Sequence, residues 1–141
     1  MSARQPDGRS RDATIAAVVR AGVPAVSAIY RFGSSVIDAT RADSDIDIAV
    51  LAPEPLDPLV RFDLQERVAS AIHRSVDLID LRRTSTVMAS QVVTQGVVLD
   101  EPDPAARARF EDFVYSSYAR LNEERRAILE RVRIEGTVYG R

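Results

Sequence analysis

The sequence predicts an α/β domain: a small sheet with helices packed on it, followed by one long C-terminal helix. Three observations carry this. Short β-branched and aromatic runs alternate with stretches of helical periodicity. The 141 residues, 45% apolar and 28% charged, suit one ordinary domain. The C-terminal segment carries apolar side chains spaced by fours and sevens.

The elements follow in order. Residues 1–12 are polar and read as a flexible tail. Asp12 or Thr14 is placed to cap a first helix that runs through Ile15, Val18 and Val19 to Gly22. Val26 to Phe32 reads as a strand, Gly33-Ser34 as an abrupt exit from it, and Asp45 to Leu51 as a second strand. Pro55 to Ser75 reads as a helix with Val60, Leu64, Val68 and Ile72 as its buried stripe. Val76 to Leu81 is a third strand, Thr84 to Gln95 a short helix stopped at Gly96, and Val97 to Leu99 a fourth strand. Ala105 to about Ile134 is the long helix. The core is expected over 13–100, with 101–141 as a helical extension within the same domain or serving a partner.

Composition removes whole classes of chemistry. The chain has no cysteine, so disulfide scaffolds, thiolate zinc sites and cysteine nucleophiles are excluded. All 19 basic residues are arginines, which excludes a lysine Schiff base and a Walker-type phosphate loop. The single histidine, His73, excludes a multi-histidine metal site and falls beside Arg74 at a helix end, where a cation complements the dipole. A net charge of −2 argues against direct nucleic-acid binding. No segment has the length of apolar residues that would span a bilayer, and a cytoplasmic location is expected.

What remains is carboxylates, hydroxyls and arginines. Asp45 and Asp47 lie two apart in a predicted strand, so they project from one face while Ile46 and Ile48 face the other. Adjacent carboxylates repel and raise each other's pKa, a penalty that a hard divalent cation such as magnesium or manganese removes. Solvated acids on an outer face would give the same pattern. Gly33-Ser34, directly after a strand, allows backbone and hydroxyl to approach a phosphate, although ordinary turns share this pair. In Val76 to Leu81, Asp77 shares a face with Ile79 and Leu81, and Asp80 with Val76 and Leu78. Asp77, in the middle of an apolar run, needs a partner or a metal, whereas Asp80 near the strand end can reach water or cap the turn at Thr84. Asp43, Asp45, Asp47 and Glu54 also match ligand positions of a calcium loop, but Ile48 stands where that loop needs glycine.

The ensemble of strand, Gly33-Ser34, ten residues, Asp45-x-Asp47, helix, and a strand bearing Asp77 resembles the DNA polymerase β nucleotidyltransferase superfamily. The stretch YRFGSSVIDATRADSDIDIAVL is similar to its minimal nucleotidyltransferase (MNT) branch, and the C-terminal helix resembles that of MntA-type antitoxins paired with HEPN toxins. The resemblance implies a polymerase-β-like fold with a small mixed sheet. It also implies a protein adenylyltransferase that moves AMP from ATP to a tyrosine of a cognate HEPN RNase toxin. By the same resemblance Gly33 and Ser34 contact the nucleotide phosphates, Asp45 and Asp47 hold two Mg²⁺ ions, and Asp77 completes the metal and catalytic set. Modification of a small hydroxyl compound and non-enzymatic neutralisation of a toxin by binding are the alternatives. Arg41, between the motif halves, is within reach of a triphosphate or is a solvated loop arginine.

Phe110, Val114, Leu121, Ile128 and Val132, widened by Phe113, Tyr118 and Leu129, form the stripe of the long helix. A helix of about 45 Å exceeds a globule of this size, so the stripe is expected to meet the partner or a second copy of the chain.

Overall fold

The computed structural model describes residues 8–34 and 45–139. The elements are α1 (Gly8–Gly22), β1 (Ala28–Phe32), β2 (Ile46–Leu51), α2 (Pro58–Ile72), β3 (Val76–Asp80), α3 (Thr86–Gln95), β4 (Val97–Asp100) and α4 (Pro104–Tyr139). The strands form one mixed sheet in the order β3-β2-β1-β4. β1 runs antiparallel to both β2 and β4. β2 and β3 are parallel, so the chain needs a crossover between them, and α2 supplies it.

The period-two pattern of the strands sorts the core into two layers. Ile29, Ile46, Ile48, Val50 and Leu78 point to α1 and α2. Tyr30, Phe32, Ala49, Leu51 and Leu81 point to the other face, where Ala89 and Val92 of α3 and Phe110 and Val114 of α4 cover them. Leu81, predicted as the last residue of β3, lies just beyond it and still donates its N–H to Val50 O at 3.0 Å.

Local chemistry explains the helix ends. Asp57 caps α2 by accepting from Leu59 N–H at 2.8 Å, and Pro58 opens the first turn, where its missing N–H costs nothing. His73 ends α2 in the left-handed conformation, φ 55°, and is exposed. Ser85 caps α3 by accepting from Met88 N–H at 3.1 Å, and Gly96 closes it by donating to Val92 O at 2.8 Å.

Four expectations are corrected. Helix α1 begins at Gly8, so residues 8–12 are helix and not tail, and Asp12 does not cap it. Instead the Asp12 carboxylate accepts from Arg31 Nε at 3.1 Å, an ion pair between helix and sheet that the polar sequence concealed. In α2, Leu64, Val68 and Ile72 are buried as predicted but Val60 is exposed. It falls in the first turn, where Leu59 and Phe62 are exposed as well, so no sheet lies beneath this turn. Residues 1–7 and Arg41 lie outside the described residues.

The third correction concerns α4. Its stripe divides along the length. Phe110 and Val114 are buried in this domain's own core. Nearby, Tyr30 donates its hydroxyl to Glu111 Oε1 at 2.9 Å. Burial first, and then the Glu111 carboxylate, push the Tyr30 phenol well above its ordinary value. Leu121 is half-buried, and Ile128, Leu129, Val132 and Ile134 are exposed. At 36 residues the helix is about 54 Å long, and its distal half leaves the globule.

The fourth concerns Asp80, which is buried rather than solvated. Its Oδ2 accepts from Leu56 N–H at 2.7 Å and its Oδ1 from Arg82 N–H at 2.9 Å, joining the end of β3 to the loop before α2. Both carboxylate oxygens therefore face donors. An amide presents one oxygen and one donor, so Asp80→Asn sets N–H against N–H. The variant is expected to lose about 1–3 kcal/mol of stability. Urea unfolding measures it, and an unchanged midpoint would show that the two hydrogen bonds carry no net stability.

Candidate active site

The ends of β1, β2 and β3 meet at one end of the sheet. In the β1–β2 pair, Phe32 stands opposite Asp47. In the β2–β3 pair, Asp47 stands opposite Asp77. Asp47 shares its face with Ala49, and Asp77 shares its face with Ile79 and Leu81, so both carboxylates project from the side covered further along by α3 and α4. Asp45 immediately precedes β2, two residues from Asp47. The structure thus brings together the three aspartates that the sequence singled out.

Their environments differ. Asp45 and Asp77 are exposed, and Asp47 is half-buried between its neighbours. Asp77 therefore does not sit in a dry strand interior, as its apolar run suggested; the buried acid of that strand is Asp80. Among the described residues β3 is the edge strand of the sheet, and Asp77 at its start is exposed. The Asp47 carboxyl is held above the ordinary carboxylate range, by burial first, then by the charge of Asp77, then by that of Asp45.

Gly33 follows Phe32 directly and turns with φ +74°. Its backbone lies against the Asp47 carboxylate: a Cβ there would overlap Oδ2 and stand 3.1 Å from Cγ. Two constraints thus demand glycine, the left-handed backbone and the close approach. Gly33→Ala must either push the Asp47 carboxylate aside or move the β1 exit. We expect a loss of about 1–2 kcal/mol from the backbone alone. The displacement of Asp47 should lower turnover by about 10²-fold. Parallel thermal melts and activity assays measure the two effects, and near-normal turnover would show that Asp47 need not stay where it is. Ser34 is exposed.

Among the described residues, no three His, Cys, Asp or Glu side chains form a ready-made metal cage. The donor set nonetheless suits magnesium. That ion keeps several waters and is held by one or two carboxylates together with substrate phosphates, not by an all-protein shell. Asp47 is repelled by both Asp77 and Asp45 and its proton affinity is raised, a penalty that a divalent cation would relieve. A shallow cleft lined by Leu81, Arg82, Ser85, Phe110 and Phe113 lies further along the same face and includes none of these aspartates.

Some structural contacts escaped the sequence reading. Arg61 and Gln65 of α2 reach the backbone of Leu78 in β3, and Arg11 is buried against the sheet. Nothing in the helical periodicity distinguishes these residues from solvated ones. Tyr30 gave the one available signal, a phenol in an apolar strand that needs a hydrogen-bond partner.

This sheet, with glycine and paired aspartates at adjoining strand ends, is that of a nucleotidyltransferase, and the chain belongs to the polymerase beta nucleotidyltransferase family, whose profile matches residues 14–105. Within that class it is 41% identical over 118 residues to the protein adenylyltransferase MntA of Shewanella oneidensis, spanning 82% of each chain. A chain in a crystal structure of a toxin–antitoxin with AMP-PNP is 40% identical and superposes with a TM-score of 0.75, over 86% of this chain and 97% of that one. Another, from tri-AMPylated Shewanella oneidensis HEPN toxin in complex with MNT antitoxin, is 39% identical with a TM-score of 0.72, over 86% and 95%. No helix among the described residues is long and apolar enough to cross a membrane.

Proposed function

We propose that the chain is a Mg²⁺-dependent protein adenylyltransferase, an antitoxin that transfers AMP from ATP to a tyrosine of a cognate HEPN toxin in the cytoplasm. The observation that carries this reading is the register of Asp47 with Asp77, beside Gly33, whose backbone lies against the Asp47 carboxylate. The similarity to MntA over most of both chains supports the choice of donor and acceptor.

Each residue has a part. Gly33 offers backbone N–H and Ser34 its hydroxyl to the nucleotide phosphates. Asp45, Asp47 and Asp77 would hold the two Mg²⁺ ions, which when bound lower the pKa of the acceptor hydroxyl and neutralise the charge of departing pyrophosphate. The tyrosine oxygen forms a bond to the α-phosphorus as the bond from that phosphorus to the α–β bridging oxygen breaks. Pyrophosphate leaves with the electron pair. Asp77, the exposed acid on the edge strand, accepts the phenolic proton and passes it to water.

The test is incubation with a candidate HEPN partner, ATP and Mg²⁺, followed by intact-mass analysis. Mass gain in steps of one AMP on a toxin tyrosine, lost on chelation, is the expected result. A toxin that is silenced while its mass stays unchanged would instead establish neutralisation by binding alone.

A further inference from the structure

We infer that Gln65 and Arg61 are positioning residues that hold Asp77 abreast of Asp47 by closing the open edge of the sheet. Among the described residues β3 is an edge strand, with β2 on one side and no strand on the other. On the β2 side, Ile46 donates to Ser75 O at 2.9 Å and Leu81 donates to Val50 O at 3.0 Å. Parallel pairing therefore uses alternate residues of this segment and turns the backbone groups of Leu78, next to Asp77, outward. Two side chains of α2 take the place of the missing strand. Gln65 Oε1 accepts from Leu78 N–H at 2.9 Å, and Arg61 Nη1 donates to Leu78 O at 2.9 Å. Arg61 Nη1 also lies 3.4 Å from Gln65 Oε1, which locks the two together.

The direction of this grip matters. Leu78 packs its side chain into the α1–α2 layer, so α2 holds the strand from behind. Asp77 projects from the opposite face and stays free for ligands. Among the described residues no strand pairs with the outer side of β3, so the distance of Asp77 from Asp47 depends on how firmly β3 is held. The inference rests on the proposed role of Asp77 in metal and nucleotide binding.

The experiment measures Mn²⁺ affinity of the full chain in the presence of AMP-PNP, by electron paramagnetic resonance of the free ion. Gln65→Leu removes the acceptor at similar size and is expected to weaken Mn²⁺ binding by about 10-fold. Gln65→Glu keeps an acceptor for Leu78 N–H beside Arg61 and should stay within about 3-fold of the parent. Val68→Ala destabilises the same layer without touching the edge and should bind Mn²⁺ normally. Arg61→Ala provides a second reading should Gln65→Leu fail to fold, with weakening in the same direction. The inference is overturned if Gln65→Leu or Arg61→Ala binds Mn²⁺ like the parent while Asp77→Asn does not. If Asp77→Asn also binds normally, the role proposed for Asp77 itself falls, and this inference falls with it.

Discussion

Asp47→Asn is expected to abolish AMP transfer, by about 10³-fold or more in kcat, while making the metal-free protein slightly more stable. The two effects have one cause. Asp47 is half-buried between Asp77 and Asp45, and its carboxyl is held above its ordinary value of 3.8. A group whose pKa is raised by folding destabilises the native state wherever it is ionised. The native state binds more protons than the unfolded chain between the two values, so stability falls as pH rises through that window. The penalty is complete above the folded-state value and disappears once pH drops below the ordinary one. The asparagine variant escapes it. Solvent screens this repulsion, so the gain at neutral pH is about 1–3 °C in Tm. Melting curves across the acid range, with and without Mg²⁺ and ATP, check the prediction. A variant that melts below the parent at neutral pH without metal would mean that Asp47 is structural. A variant that still transfers AMP would remove it from the site.

The second large effect separates the two halves of α4. Val114→Asp places a carboxylate without a partner into the layer formed by Leu51, Leu81, Ala89 and Phe110. Its expected cost is about 3–5 kcal/mol, enough to unfold a domain of ordinary stability. Ile128→Glu lies on the same helix where the side chain is exposed, and should change stability by no more than about 0.5 kcal/mol. It should leave ATP binding intact while weakening capture of the HEPN partner or a second copy. Circular dichroism with calorimetry of ATP binding distinguishes the variants. A folded Val114→Asp would remove α4 from the core. An Ile128→Glu protein that modifies its partner at the parent rate would remove the distal half from recognition.

The parts legible from the amino-acid order were those governed by short-range periodicity. Alternation in Asp45 to Leu51 placed Asp45 and Asp47 on one face, whereas the parallel pairing that sets Asp77 beside Asp47 was not readable, because strand order rests on contacts distant in sequence. Burial was less legible, because it depends on which elements cover a strand end. Asp77 and Asp80 were assigned the right faces and the wrong environments: the wet position belongs to Asp77, and the loop before α2 folds over Asp80. Val60 and Val114 show the same limit from opposite directions. Val60 continues an apolar stripe past the edge of the layer beneath it. Val114 belongs to a stripe whose first turns have a sheet under them and whose last turns do not. The start of α1 was hidden because Arg11 and Asp12 belong to a helix by their tertiary contacts rather than by their propensity.

The parallel β2–β3 pair has a bearing on how the molecule is made. Gly33, Asp47 and Asp77 all lie in the β1–β2–α2–β3 stretch, so every strand end of the candidate site is synthesised before β4 and α4 leave the ribosome. Contacts close in sequence form early, and chains tend to fold from the N-terminal side during translation. The carboxylates can therefore take up their register while the second layer is still incomplete, and Phe110 and Val114 close that layer last. The distal turns of α4 are the final part to emerge and add no core contacts of their own. A nascent chain halted after Arg120 has the buried core residues and the candidate site, whereas one halted before Phe110 lacks the cover for Leu51 and Leu81. The chain thus completes the candidate site before it completes the exposed apolar turns of α4.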